Sequence, residues 1–251
     1  MSNSIERFSN RVENYVKYRP HYPREIISFL GKECGLSPAT IIADIGCGTG
    51  ISSRLFLENG NCVFGVEPNA AMREAAVNYL SAYPQFIPID GTAEACTLPA
   101  GSVDMVVAAQ AFHWFDPAKT HGEFQRILRP GGHIVLIWNE RSLDADAFHR
   151  EYENLLVKYA SDYGNVRHDN ITKFELDSFF PKGYKEALFE NSQEFDFEGL
   201  KGRMLSASYM PSEDDERFES VANELRTLFA KHAESGKIKV FYSTKVYFSP
   251  C

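Results

Sequence analysis

Short apolar runs in this chain alternate with stretches whose apolar positions fall three or four residues apart. Ile41-Ile42-Ala43-Asp44-Ile45 is closed by glycines and predicts a buried strand. Ile51, Leu55 and Phe56 follow at helical spacing. Cys62-Val63-Phe64-Gly65-Val66 is the next run, after which Asn69 is placed to cap a helix carrying Met72, Ala75, Ala76 and Tyr79. Further runs lie around Phe86-Ile87-Pro88-Ile89 and Val103-Asp104-Met105-Val106-Val107. An amphipathic stretch through Phe124, Ile127 and Leu128 stops at Pro130-Gly131-Gly132, and a strand His133-Ile134-Val135-Leu136-Ile137-Trp138 begins there. Strands apolar on both faces, alternating with helices, predict a parallel sheet covered on both sides. The expected class is α/β and doubly wound.

The pattern changes after Trp138. Phe148, Tyr152, Leu155, Leu156 and Tyr159 form one helical stripe. Phe218, Val221, Ala222, Leu225, Leu228 and Phe229 form another, with Ser212 placed as its cap and acids in its first turn. Such stripes predict core-facing helices inserted between the later strands. The β-branched and aromatic residues from Val240 to Tyr247 predict a closing strand. At the other end, Pro20, Pro23 and Pro38 break a polar and aromatic segment into short pieces.

Composition narrows the function classes. The 251 residues are 44% hydrophobic and 13% aromatic, which suits one domain with a sizeable core. No apolar run approaches the ~20 residues of a membrane span. The formal net charge is −8 and no basic run is visible, which argues against a nucleic-acid partner. Five cysteines, Cys34, Cys47, Cys62, Cys96 and Cys251, form no Cys-x-x-Cys pair. Reduced thiols in the cytoplasm, and neither a zinc site nor a disulfide framework, are expected.

Ligands of doubly wound sheets bind beyond the carboxyl ends of the strands. That rule selects residues 46–50, Glu67, residues 90–94 and residues 110–114. Asp44-Ile45-Gly46-Cys47-Gly48-Thr49-Gly50 joins a strand to a helix, and its glycines permit a tight turn and close backbone approach. The dinucleotide fingerprint asks for glycine three residues after Gly48, where Ile51 stands. Asp44 brings an acid to the end of a buried strand, where it needs a cationic or hydrogen-bonding partner, such as an amino acid's ammonium. Glu67, directly after the second strand, can accept the hydroxyls of a ribose or help to start the next helix. Met72 can lie against an adenine face or fill the core.

These residues resemble the class I S-adenosylmethionine-dependent methyltransferases. Residues 44–50 match that family's first motif and Glu67 its ribose acid. Gly91-Thr92-Ala93-Glu94-x-x-x-Leu98-Pro99 is similar to the adenine-side motif of the type 11 branch, except that Thr92 stands where many relatives carry aspartate. Ser102-Val103-Asp104-Met105-Val106-Val107 resembles its fourth strand, and residues 126–132 the turn before its fifth. The resemblance implies a Rossmann-like, mostly parallel seven-stranded sheet in one domain over residues 1–251. The expected parts are an N-terminal arm (1–38), a cofactor-binding core (39–139), a helical insertion covering the substrate (140–235) and a final strand (236–251). It implies S-adenosylmethionine as cofactor, S-adenosylhomocysteine as product and no metal. Tyr15, Arg19, Asp44, Gly46, Cys47, Gly48, Glu67, Pro68, Met72, Thr92, Ala93, Glu94 and Gln110 are the implied cofactor residues.

A narrower likeness lies in Tyr15-x-x-Tyr18-Arg19-Pro20-x-Tyr22-Pro23, Ala111-Phe112-His113-Trp114-Phe115 and Ser206-x-Ser208-Tyr209, which resemble the trans-aconitate methyltransferase-like subgroup. That likeness implies a small carboxylic acid turned into a methyl ester. A monomer or homodimer is expected. Tyr22, Phe112, Trp114, Trp138, Arg141, Arg203 and Tyr209 are the substrate-side candidates, with Arg19, Arg141 and Arg203 suited to a carboxylate. Methyl transfer from a sulfonium is an in-line displacement and needs a base only for a protonated nucleophile. His113, after the fourth strand, is the candidate base for a hydroxyl or amine acceptor, or a packed aromatic. A nucleic-acid methyltransferase, a nicotinamide oxidoreductase and a non-catalytic cofactor-binding protein share the architecture.

Overall fold

Every apolar run named above is a strand. The computed structural model describes residues 16–161, 172–207 and 209–250. The runs are β1 (Ile41–Ile45), β2 (Cys62–Val66), β3 (Phe86–Ile89), β4 (Val103–Ala109), β5 (Leu128–Arg141) and β7 (Ile238–Pro250). One more strand, β6 (Lys185–Phe195), falls inside the segment expected to be a helical insertion. The seven strands form one sheet in the order β3-β2-β1-β4-β5-β7-β6. The first five are parallel, and β7 runs antiparallel between β5 and β6. The chain reverses direction at β1, between β2 and β4, which puts the switch point at the loop after β1.

The helices are α1 (Glu25–Cys34), α2 (Ile51–Glu58), α3 (Ala70–Tyr79), α4 (Pro117–Ile127), α5 (Ala147–Tyr159), α6 (Lys173–Phe179), α7 (Phe197–Leu205) and α8 (Phe218–His232). Alternation along the strands sorts the core into layers. Ile42, Val63, Met105, Val107, Val135 and Ile137 pack under α1 and α2, through Ile26, Leu30, Leu55 and Phe56. Their neighbours Ala43, Ile45, Val106, Ala108 and Leu136 pack under α4 and α6, through Phe124, Ile127, Leu176 and Phe179. Each valine, leucine, isoleucine, methionine or phenylalanine among them contributes roughly 1.5–3 kcal/mol by leaving water. A third cluster joins α5, α7 and α8 to the start of β7, where Tyr152, Leu200, Leu225 and Val240 meet.

Local chemistry explains the boundaries, with two departures from expectation. Asn69 caps α3 as its position predicts, accepting from the Met72 amide at 3.1 Å. Ser212 does not cap α8. That helix begins at Phe218 after Arg217, its first-turn acid is Glu219, and the Ser212 carbonyl accepts from the Asp215 amide in a turn of its own. The proline-broken N-terminal segment also contains a helix. α1 starts beyond Pro23 and ends at Gly35, whose left-handed φ of 68° closes it. Among the described residues no helix is long and apolar enough to cross a membrane.

Candidate functional site

The turn after β1 is built to bring backbone, not side chains, to its outer surface. Gly46, Gly48 and Gly50 all take positive φ, at 68°, 55° and 85°. A side chain on Gly46 would meet Ala111 Cβ at 2.7 Å, and one on Gly50 would meet Leu80 at 2.6 Å, so both glycines are required by contact as well as by backbone. Among the described residues nothing lies within 4 Å of the corresponding position at Gly48. The amides of Gly46 and Cys47 bond the Val66 carbonyl at 2.8 and 3.2 Å, fastening the turn to the end of β2.

Two acids hold this turn from different sides. Asp44 has no exposed surface. The Ser52 and Ser53 hydroxyls donate to its Oδ2 at 2.7 and 2.6 Å, while its Oδ1 has no hydrogen-bond partner among the described residues. Burial pushes its carboxyl up to about 6. The two serine hydroxyls are hydrogen-bonding partners of the kind that an acid at this position needs. Its burial puts it under the turn, where its charge acts through the loop in a low-dielectric surrounding. Glu67 lies at the open side. It accepts from the Gly48 amide at 3.0 Å and the Asn69 amide at 2.9 Å, one on each oxygen. Burial raises its pKa, outweighing the opposing pull of those two amides. A carboxylate has about four acceptor positions, so two remain for a ligand. Cys47 is buried between the two acids, and burial, then their charge, holds its thiol protonated. Pro68 is half-buried and Met72 is 5% exposed.

The segments after β3 and β4 close the same end of the sheet. Thr92 and Ala95 pair as an isolated bridge, Ala93 is buried, and Glu94 accepts from the Asp116 amide at 3.0 Å. Glu94 thus ties the post-β3 segment to the turn beyond His113. Gln110 takes a left-handed φ of 53°, a strained state of the kind that gathers at functional sites. Its side chain turns to β5, accepting from the Asn139 amide at 3.0 Å and donating to the Asn139 carbonyl at 3.4 Å. His113 stands on the 3-10 turn Phe112–Trp114, its ring 4.7 Å from that of Trp114, and burial lowers its pKa to about 4.

The substrate-side candidates divide. Phe112 and Trp138 are core residues, 3% and 2% exposed, with ring centroids 6.3 Å apart under α6. Even-numbered positions of β5 face that layer, so Trp138 points away from the arginine candidates. Trp114 is exposed. Arg141 pairs with Glu153 and lies over the Tyr152 ring. Arg203 on α7 receives no carboxylate within ion-pair distance among the described residues. Its Nε donates to the Tyr242 hydroxyl at 3.2 Å and its neighbours are Tyr152, Tyr209 and Tyr242. Arg19 donates to the Ser206 carbonyl at 2.9 Å, which brings the N-terminal segment to the end of α7. Tyr22 lines a groove of about 210 Å³ with His21, Arg54 and Ile51, the first residue of α2 after the glycine turn. Tyr15 and Ser208 lie outside the described residues. Among the described residues no group of three or more His, Cys, Asp or Glu could hold a metal.

Sequence reasoning missed Ser52, Ser53, Asn139, Asn191, Gln193 and Thr244. The two serines were findable, since hydroxyls one turn beyond a buried strand-end acid are its natural donors.

Residues 43–136 match the family described as "Methyltransferase domain". Over 134 residues, 53% of this chain and 52% of the relative, the sequence is 40% identical to an uncharacterized methyltransferase of Mycobacterium bovis. The chain thus spans about half the length of the mycobacterial relatives it matches. An uncharacterized methyltransferase-like protein of Schizosaccharomyces pombe is 26% identical over 98% of this chain and 95% of its own. Among solved structures, a provisionally named type II methyltransferase of Anaeromyxobacter dehalogenans superposes with a TM-score of 0.67. It is 22% identical, over 93% of this chain and 98% of that one. The fold is the Rossmann-like fold of class I methyltransferases.

Proposed function

We propose that this methyltransferase-fold protein binds S-adenosylmethionine on the turn after β1 and transfers its methyl group to a small carboxylic acid. The observation that carries the cofactor reading is Glu67, whose carboxylate is fixed by the Gly48 and Asn69 amides beside a glycine with open space above it among the described residues. Its two remaining acceptor positions suit ribose hydroxyls. The unneutralised charge of Asp44 beneath the turn favours an ammonium above it. Pro68, Met72, Thr92, Ala93 and Glu94 would flank the adenine side, and Gln110 would close the methionine side through its backbone. When bound, the cofactor supplies a methyl group already activated on a sulfonium.

The protein's remaining tasks are to orient the acceptor and exclude water. Arg203 supports the carboxylate class. A half-buried guanidinium surrounded by tyrosines, with no carboxylate beside it among the described residues, is completed electrostatically by an anionic ligand. A carboxylate acceptor is ionised at neutral pH and needs no base. That agrees with His113, whose pKa of about 4 makes it a poor proton acceptor near pH 7.

Release of demethylated cofactor, followed over a panel of small acids, phenols and amines, tests the reading. Turnover of acids, with the acid's KM raised at least about tenfold by Arg203→Gln, is the expected result, the loss of one charge-assisted hydrogen bond. Turnover confined to phenols or amines would refute the carboxylate class while leaving the cofactor site standing.

A further inference from the structure

Toward the carboxyl ends of β5 and β6, and at the middle of the antiparallel β7 that lies between them, the strands carry polar side chains, and each of these side chains is engaged. Asn139 on β5 is 4% exposed and uses every polar atom it has. Its Nδ2 donates to the Pro20 and His21 carbonyls at 3.4 and 3.3 Å. Its Oδ1 accepts from the Thr244 hydroxyl at 2.5 Å and from Asn191 Nδ2 at 3.0 Å. Its backbone is the group held by Gln110. On β6, Asn191 Nδ2 also donates to the His21 carbonyl at 2.7 Å, and Gln193 Nε2 reaches the Tyr18 and Arg19 carbonyls at 3.4 and 3.3 Å. Four consecutive backbone carbonyls, 18–21, are thus caught by amide side chains from two strands. A hydrogen bond of this kind contributes modestly by itself, but a fully satisfied buried network defines one geometry.

The same segment is seated from the opposite side. Gly202 stands inside α7, where glycine is a poor helix former. A Cβ there would lie 2.0 Å from the Tyr18 ring, so the glycine makes room for that ring. The segment so held carries Arg19, bound to the end of α7, and Tyr22, which shares a groove with the residue after the glycine turn.

We infer that Asn139 is a positioning residue: its amide docks the segment 18–21 across the sheet in the ligand-free protein and links it, through Gln110, to the cofactor side of the cleft. This rests on the cofactor site proposed above. A segment docked beforehand costs the ligand no ordering. Undocking it would lower apparent affinity by the docked fraction and leave the saturated rate unchanged.

Asn139→Asp is the informative variant. It is nearly isosteric and keeps an acceptor for Thr244 and Asn191, but sets a carboxylate oxygen against the Pro20 and His21 carbonyls. Gly202→Ala is the second variant, because it favours the helix while displacing Tyr18. Docking is read by the fluorine resonance of fluorotyrosine at position 18, without ligand. Affinity and rate are read as KM for S-adenosylmethionine and kcat. In both variants the resonance should move to the position of exposed tyrosine, with KM up at least about tenfold and kcat within about twofold. An unmoved resonance, or a fallen kcat at unchanged KM, would overturn the inference. A parent protein that binds no S-adenosylmethionine would instead defeat the cofactor reading, and the fluorine signal would still report the docking.

Discussion

Replacing Asp44 with asparagine should change the pH dependence of stability in a calculable way. Burial lifts this carboxyl from the ordinary 3.8 to about 6, against the opposing pull of the Ser53 and Ser52 hydroxyls. An acid whose folded pKa is raised holds its proton more tightly in the folded state than in the unfolded chain. Stability is therefore lost as pH rises through the window from 3.8 to about 6. At ~1.4 kcal/mol per pKa unit the complete loss is about 3 kcal/mol, roughly half of it already present near pH 5. Asparagine cannot ionise. The stability of Asp44→Asn relative to the parent should thus rise by about 1.4 kcal/mol between about pH 5 and about pH 7.5. In a domain of this size that is about 3–6 °C in Tm. Urea unfolding of both proteins at both pH values measures it, and the contribution of Glu123, whose shift owes nothing to Asp44, cancels in the difference. A difference that stays flat across the two pH values would refute the buried, poorly compensated carboxylate. The same variant should bind S-adenosylmethionine more weakly than the parent, since the charge under the turn is gone.

Glu67→Ala should weaken S-adenosylmethionine binding by at least about 1 kcal/mol, roughly fivefold, in a calorimetric titration, because it removes the acceptor facing the ligand. His113→Ala should retain at least roughly a tenth of the parent's turnover on a carboxylic acid, since a poor base contributes little. A thousandfold loss at unchanged cofactor affinity would point to a hydroxyl or amine acceptor. Gly46→Ala should lower thermal stability by about 1–3 kcal/mol, because it demands a left-handed backbone and a 2.7 Å contact with Ala111. An unchanged melting curve would contradict the packing described for the turn.

What was legible in the chain follows from where apolar burial is two-sided. Strands β1, β2, β4, β5 and β7 announce themselves because both of their faces pack under helices, whereas β3, at the other edge with Ile87 exposed, is legible only as a short apolar run. β6 is an edge strand, and its inward positions Ala187, Phe189, Asn191, Gln193 and Phe195 are interrupted by two amides. Those amides face the backbone of residues 18–21 and not the core, so the period-two signal that would mark a strand fails where a polar job is done. The glycine turn and Glu67 were readable from type and spacing. The direction in which a strand residue points was not, which is why Trp138 was placed on the cleft and is found in the core. Asp44 was readable as an acid needing a partner, but only coordinates show that its partners are Ser52 and Ser53 beneath the turn.

The central claim is that the turn after β1 accepts an amino-acid-bearing nucleoside and not a dinucleotide. Isothermal calorimetry of the whole protein against S-adenosylmethionine, S-adenosylhomocysteine and oxidised and reduced nicotinamide dinucleotide tests it directly. One saturable site for the two sulfur nucleosides, weakened in Glu67→Ala, with no heat from either dinucleotide, is the predicted result. Saturable binding of a dinucleotide, with none of the sulfur compounds, would contradict it.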